Sequence, residues 1–93
     1  MGGHVIEVFS SGCPLCRETI EMVEFGKCRD CKMIIHDVVN PSQETREKMR
    51  MYNVNAVPTI VIDGVIKVVG VPDFPWICGD EFYKMLRERF PLK

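Results

Sequence analysis

Two Cys-x-x-Cys pairs carry most of the reactive side chains in this chain. Cys13 and Cys16 form the first pair, Cys28 and Cys31 form the second, and Cys78 stands apart; together they are the 5 cysteines among 93 residues. In a chain without an export signal, such pairs indicate thiol redox chemistry or a soft metal ion rather than a secreted disulfide framework. The context of each pair must decide between these two kinds of chemistry.

The first pair opens a predicted helix. A β-prone segment, Val5–Phe9, and a short loop precede Cys13, and Pro14 suits the first helical position, where its missing N–H costs nothing. Cysteines three residues apart in a first turn lie on one face, close enough to bond to each other. The first sulfur also lies beside free backbone N–H groups, which stabilise the thiolate that attacks disulfides. We therefore predict Cys13 as the attacking thiol and Cys16 as the resolving thiol.

Hydrophobic periodicity and turn signals predict seven secondary-structure elements. Their expected bounds are Val5–Phe9 (β1), Pro14–Phe25 (α1), Lys32–Val39 (β2), Gln43–Tyr52 (α2), Pro58–Ile62 (β3), Val65–Val69 (β4) and Asp80–Phe90 (α3). The βαβ unit makes β1 and β2 parallel, whereas the two-residue Asp63–Gly64 turn makes β3 and β4 antiparallel. We expect an α/β fold in a single domain over residues 1–93, with a mixed four-stranded sheet and helices on both faces.

The composition argues against two kinds of partner. Because 12 Lys and Arg stand against 13 Asp and Glu, the net charge of −1 gives no basic field for nucleic acid. No apolar run approaches the ~18 residues of a membrane-spanning helix, and no segment has the pattern of a secretory signal. We expect a cytoplasmic monomer that contacts neither nucleic acid nor membrane.

Two motifs together resemble the thioredoxin/glutaredoxin superfamily. Strand β1 leads directly into Cys13-Pro14-Leu15-Cys16, and Val57-Pro58-Thr59 precedes the β-hairpin. Among its members, the chain is similar to the small thioredoxins of glutaredoxin size. The resemblance implies a minimal thioredoxin fold and a thiol-disulfide oxidoreductase that maintains cell redox homeostasis by reducing protein or small-molecule disulfides. The electrons would come from a reductase or glutathione, and no organic cofactor is needed because the sulfurs carry them.

The same resemblance assigns substrate contacts. It implies a cis Val57–Pro58 bond, with Pro58 against the cysteine pair and the backbone of Val57 pairing with an extended substrate. Leu15 stands where glutaredoxins carry a Tyr, and Asp80 matches the acid that contacts glutathione at the start of their last helix. However, Ser10 replaces the Lys that glutaredoxins commonly carry, which weakens the case for binding the glutathione carboxylates.

Glu7 matches the buried acid that thioredoxins carry six residues before their first cysteine. A buried carboxyl group has a raised pKa and is able to accept the proton of Cys16 during resolution. The alternative is an acid at a partly solvated strand position. We assign no role to His36, which we expect on an edge strand.

The second pair, Cys28 and Cys31, has several possible roles. The spacing C-x2-C-x11-C-x2-C is compatible with a four-thiolate zinc site, but the intervening helix of 12 residues spans ~18 Å and would hold the pairs apart. The second pair is then a disulfide clip, a second redox couple, half of an intermolecular metal site, or two reduced loop thiols. An alternative function is soft-metal binding (zinc, copper(I) or mercury) through one or both pairs. A third is that of a non-catalytic partner module.

Cys78 belongs to the irregular segment that follows β4. Because β4 returns toward the cysteine pair, we expect Phe74, Trp76 and Cys78 to border the active edge, with Trp76 in an apolar substrate wall and Cys78 as a third thiol in exchange. The alternative is that Phe74 and Trp76 pack over the last helix.

Overall fold

The computed structural model describes residues 3–92 and contains the seven expected elements in the expected order. The observed bounds are β1 Val5–Ser10, α1 Pro14–Gly26, β2 Lys32–Asp37, α2 Gln43–Met51, β3 Thr59–Ile62, β4 Ile66–Val69 and α3 Asp80–Arg89. None of the three helices found in residues 3–92 combines the length and apolarity needed to cross a membrane.

The four strands form one mixed sheet in the order β2-β1-β3-β4. Strand β1 runs parallel to β2, with Val5 opposite Lys32, and antiparallel to β3, with Phe9 opposite Thr59. Strand β4 pairs antiparallel with β3, and Val69 lies opposite Thr59. The carboxyl end of β1 therefore lies beside the start of β3, which places the Cys13 loop and Pro58 at the same edge of the sheet.

Helices cover both faces of the sheet, which confirms the predicted architecture. On one face, Ile6 and Val8 of β1 pack with Val23 of α1 and Leu86 of α3 in the larger hydrophobic core. On the other face, a smaller core surrounds Phe9 with residues that lie in or just after α2 or in β3: Tyr52, Val54 and Val61. Alternation along β1 thus decides which helix each of its side chains meets.

The segment between β4 and α3 runs from the edge that carries Cys13 to the carboxyl end of α1. At its start, the N–H of Gly70 donates to the carbonyl of Pro58 (2.8 Å), at the edge that carries Cys13. At its end, the N–H of Cys78 donates to the carbonyl of Gly26 (3.2 Å), at the last residue of α1. Helix α3 therefore begins beside the carboxyl end of α1, far from the edge where the sequence placed this segment.

Candidate functional site: a dithiol at the start of α1

Cys13 is the N-cap residue of α1. Its backbone is extended (φ −72°, ψ 163°), and Pro14 occupies the first helical turn. The N–H of Cys16 donates to the Cys13 sulfur at 3.1 Å, so the cysteine side chain takes the place that Ser or Asp usually fills. This N–H and the positive end of the helix dipole put partial positive charge beside the sulfur.

The loop before Cys13 contains a tight turn that places Cys13 at the N-cap position of α1. Gly12 has φ +80°, a left-handed conformation that glycine adopts without strain. Its N–H donates to the Ser10 hydroxyl (2.9 Å), which ties the turn to the end of β1.

The two thiols differ in accessibility. Both are free, but Cys13 is half-buried whereas Cys16 is fully buried. Burial raises the pKa of Cys16, yet hydrogen bonds from Cys13, from the Ser11 backbone and from the Ser10 and Ser11 side chains outweigh it and lower the pKa to about 7. Near neutral pH the Cys16 thiol is therefore partly ionised, whereas Cys13 is the sulfur that another molecule is able to reach.

The peptide bond between Val57 and Pro58 is cis, as the resemblance implied. Pro58 is fully buried at the start of β3, next to the end of β1. Val57 is half-buried, and in the described part of the chain its backbone takes part in none of the hydrogen bonds found. Leu15 is 55% exposed, between the two cysteines. The edge around Cys13 thus presents an apolar side chain and unpaired backbone groups.

Glu7 is buried, but it lies on the wrong face of the sheet to take a proton from Cys16. Its carboxylate accepts hydrogen bonds from His36 Nε2 (2.8 Å) and the Tyr52 hydroxyl (3.4 Å), on the face that α2 covers. Cys16 belongs to α1, on the opposite face. The proton-acceptor role predicted for Glu7 is therefore wrong, because strand alternation directs its side chain toward α2.

His36, to which the sequence analysis assigns no role, belongs to a buried chain of polar side chains. His36 does lie on the edge strand β2, yet it is only 5% exposed and bridges Glu7 to the hydroxyl of Thr45 at 2.8 Å. Lys48 completes the cluster 3.7 Å from the Glu7 carboxylate, whose negative charge raises the pKa of Lys48. The available signal was an acid and a histidine on the same face of neighbouring strands.

Cys78 lies at the opposite end of α1 from Cys13, so its predicted place at the active edge is wrong. It forms a disulfide with Cys28, with the two Cα atoms 5.5 Å apart. Cys31, the third cysteine at this end of α1, is buried and reduced. The reason is the course of the segment after β4, which carries Cys78 to the Gly26 carbonyl.

Trp76 and Asp80 are displaced from the active edge for the same reason. Trp76 is 4% exposed and packs edge-on against Phe82 (centroids 5.1 Å apart), so the interpretation as packing over the last helix is correct and the substrate wall is wrong. Phe74 also packs against the larger hydrophobic core. Asp80 lines a cleft with Cys28, at the end of α1 opposite to Cys13.

The two Cys-x-x-Cys pairs cannot share one metal ion. Cys13 caps the amino end of α1, and Cys28 follows its carboxyl end at Gly26. A helix of 13 residues is about 20 Å long, whereas a zinc ion holds its sulfurs at ~2.3 Å. A four-thiolate centre within one chain is therefore excluded, as the sequence predicted.

Comparison with known proteins agrees with this geometry. The model of the thioredoxin domain family matches residues 4–75. A "Probable Thioredoxin" from Methanothermobacter thermautotrophicus is 42% identical over 73 residues, covering 72% of this chain and 79% of that protein. An "Uncharacterized 9.0 kDa protein in mobE 3'region" from Acidithiobacillus ferrooxidans is 36% identical over 61 residues, covering 63% and 67%. The match and the paired thiols support a role of the thiol oxidoreductase type. Because the matched region contains β1 through β4 and both motifs, the chain belongs to the thioredoxin domain family.

Proposed function

We propose that the protein is an enzyme that reduces disulfides of other proteins through the Cys13–Cys16 dithiol. The observation that carries this proposal is the N-cap geometry of Cys13, a half-buried sulfur that accepts the N–H of Cys16 at 3.1 Å. A sulfur in this position is accessible, lies beside partial positive charge and has a second thiol one turn away. These are the requirements for a nucleophilic thiol that is released after it has reacted.

The reaction transfers two electrons in two exchange steps. The Cys13 thiol passes its proton to the Cys16 thiolate, to which it donates a hydrogen bond, and the resulting Cys13 thiolate attacks one sulfur of the substrate disulfide. A Cys13–substrate bond forms, and the other substrate sulfur leaves as a thiolate. Cys16, after losing its proton, then attacks the Cys13 sulfur and releases the first substrate sulfur. The products are a dithiol substrate and a Cys13–Cys16 disulfide, so the substrate gains the two electrons that the enzyme loses. The Ser11 N–H and the Ser10 and Ser11 hydroxyls, which lower the pKa of Cys16, remain in the mixed disulfide and favour loss of its proton.

Substrate binding is assigned to the edge that surrounds Cys13. The free backbone groups of Val57 suit an extended peptide that adds to the sheet by β-type hydrogen bonds, next to Pro58. The exposed side chain of Leu15 offers an apolar contact beside the reacting sulfurs. These features favour a protein disulfide over a small hydrophilic one.

The oxidised enzyme must receive two electrons from a donor, which we assign to a protein reductase in preference to glutathione. Recognition of glutathione needs groups that pair with its two carboxylates. Ser10 stands where glutaredoxins carry a cation, and Asp80 lies at the far end of α1. A reductase meets the same Val57 edge that binds substrate.

Reduction of insulin by dithiothreitol tests the proposal. The wild-type chain should accelerate it, Cys13→Ser should lower the rate to the uncatalysed background, and Cys31→Ser, the matched control, should leave it unchanged. Cys16→Ser should trap a Cys13–substrate adduct, visible as an added mass that dithiothreitol removes. Turnover by Cys13→Ser equal to that of the wild-type chain would refute the assignment.

A further inference from the structure

Three cysteine sulfurs meet at the carboxyl end of α1, outside the proposed active site. The sulfurs of Cys28, Cys31 and Cys78 all lie within 4.8 Å of one another. Cys28 and Cys78 form the disulfide, and Cys31 is a buried free thiol beside it. A disulfide clip needs two cysteines, so the third sulfur calls for a separate explanation.

We propose that Cys28, Cys31 and Cys78 bind one copper(I) ion once the Cys28–Cys78 disulfide is reduced. Three sulfurs arranged around an ion at ~2.3 Å lie about 4 Å from one another. The three sulfurs of this group lie within 4.8 Å of one another before any ion draws them together. Binding therefore requires opening of the disulfide and adjustment of side chains, without movement of the chain.

The backbone holds the three cysteines together independently of the disulfide. The N–H of Cys31 donates to the Cys28 carbonyl at 3.1 Å, which closes a turn across the Cys-x-x-Cys spacing. The N–H of Cys78 donates to the Gly26 carbonyl at 3.2 Å and anchors the third cysteine to the end of α1. Both bonds involve main-chain atoms, so reduction of the disulfide leaves them in place.

The ligand set selects a soft ion that accepts three ligands. Thiolates favour copper(I) and zinc, but zinc in proteins takes four ligands. In residues 3–92, the group of mutually close ligand atoms contains these three sulfurs and no histidine nitrogen or carboxylate oxygen. Three-coordinate copper(I) therefore fits the group better than zinc.

The immediate surroundings of the group are polar and give access to it. Lys27 Nζ donates to the Cys31 carbonyl at 3.4 Å, and His4, Asp30 and Asp80 line the cleft beside Cys28 and Cys78. The Tyr83 hydroxyl lies 3.7 Å from the Cys31 sulfur and is positioned to donate a hydrogen bond to a bound thiolate. A cleft of about 100 Å³, which Cys28 and Cys78 line, leads to the group from outside.

Copper binding follows reduction of the disulfide as a separate step. A water-soluble phosphine cleaves the Cys28–Cys78 bond, takes up oxygen from water as it becomes the phosphine oxide, and leaves two thiols. The three thiols then lose three protons as they bind one copper(I) ion, whose oxidation state does not change. The disulfide and the copper site exclude each other, because both use the sulfurs of Cys28 and Cys78.

A copper(I) titration tests the proposal in a Cys13→Ser/Cys16→Ser chain, which lacks the dithiol of the proposed active site. After anaerobic reduction and removal of the phosphine, this chain should bind one copper(I) in competition with a chromophoric chelator. The same chain with its disulfide intact should bind none. Cys31→Ser in this background should weaken binding by more than about 100-fold, since loss of even an outer-shell partner costs 10–100-fold. X-ray absorption at the copper edge should count three sulfurs.

A thermal melt separates a folded site from binding to an unfolded chain. Copper(I) should raise the Tm of the reduced protein, because a ligand that binds the folded state stabilises it. Circular dichroism checks the folding of Cys31→Ser, and Cys31→Ala repeats the test. Copper binding unaffected by either substitution, an unchanged or lowered Tm, or retention of zinc in preference to copper would overturn the proposal. Insulin turnover reports on Cys13 and Cys16 alone, so failure here leaves the proposed function standing.

Discussion

The two ends of α1 carry the same Cys-x-x-Cys spacing in different surroundings. At the amino end, Cys13 caps the helix and its sulfur accepts the N–H of Cys16, and the Cys16 sulfur, one turn inside, accepts the backbone N–H of Ser11. At the carboxyl end, Cys28 and Cys31 lie on a turn, and Cys28 pairs with Cys78 from a distant part of the chain. The spacing therefore sets which sulfurs are neighbours, whereas the element that carries them sets their chemistry.

The largest expected effect concerns the carboxyl end and leaves the amino end untouched. The Cys28–Cys78 disulfide joins residues 50 positions apart. In the chain-entropy treatment, closing a loop of that length stabilises the fold by about 4 kcal/mol. Cys78→Ser should therefore lower the free energy of unfolding by roughly this amount, measured by urea denaturation of the oxidised proteins.

Two controls sharpen this prediction. Cys31→Ser keeps the disulfide and should retain most of the stability, and a reductant should remove the difference between wild type and Cys78→Ser. Insulin turnover by Cys78→Ser at a temperature where it is folded should equal that of the wild-type chain. A loss of turnover there would show that the two ends of α1 are coupled.

A second, smaller effect tests the close approach that brings Cys78 to α1. A Cβ atom added at Gly26 would overlap the backbone carbonyl of Trp76, so the helix end and the segment must separate. Gly26→Ala should cost about 1 to 3 kcal/mol, the usual range for overpacking, and slow disulfide formation between Cys28 and Cys78. Gly79→Ala is the matched control, because nothing lies within 4 Å of its added Cβ. Equal stability of the two variants in urea would contradict the contact.

The sequence predicted the local turns and helix starts correctly, but it did not predict the position of Cys78. The helix start at Cys13-Pro14 and the hairpin turn at Asp63–Gly64 depend on local conformation, with φ of +54° and +69° at the turn, and both were predicted. The position of Cys78 depends instead on how nine irregular residues cross the molecule. No local propensity encodes that path.

The side chains of β1 show a second limit of prediction from the sequence. Their alternation was readable, and it places Glu7 and Phe9 on one face and Val8 on the other. Which helix covers which face was not readable from β1 alone. The role of Glu7 was therefore assigned from resemblance, and its bond to His36 was missed.

The third prediction concerns pH at the amino end. Because the pKa of Cys16 falls from its ordinary 9.0 to about 7, ultraviolet absorbance of the reduced chain should show a thiolate appearing around pH 7. Cys16→Ser should abolish this transition, whereas Cys31→Ser should keep it. A thiolate that first appears near pH 9 in the wild-type chain would remove the electrostatic difference between the two ends.

The same pKa predicts the pH dependence of stability. A thiol whose pKa is lower in the folded state than in the unfolded chain stabilises the fold when ionised. The contribution is complete above pH 9, declines as the pH falls, and is lost below pH 7. The difference in unfolding free energy between reduced wild type and Cys16→Ser should therefore shift in favour of wild type as the pH rises from 7 to 9.

The smallest expected effect isolates one hydrogen bond at the amino end. The Ser11 hydroxyl lies 3.8 Å from the Cys16 sulfur and is one of the groups that lower its pKa. Since a single hydrogen bond contributes about 0.5–1.5 kcal/mol, Ser11→Ala should raise the pKa of Cys16 by up to about one unit. The thiolate absorbance should move upward in pH by that amount, while copper(I) binding at the other end of α1 stays unchanged. Because the Ser11 N–H remains in Ser11→Ala, no change in the transition would assign the lowered pKa to the Ser11 backbone, Cys13 and the Ser10 side chain.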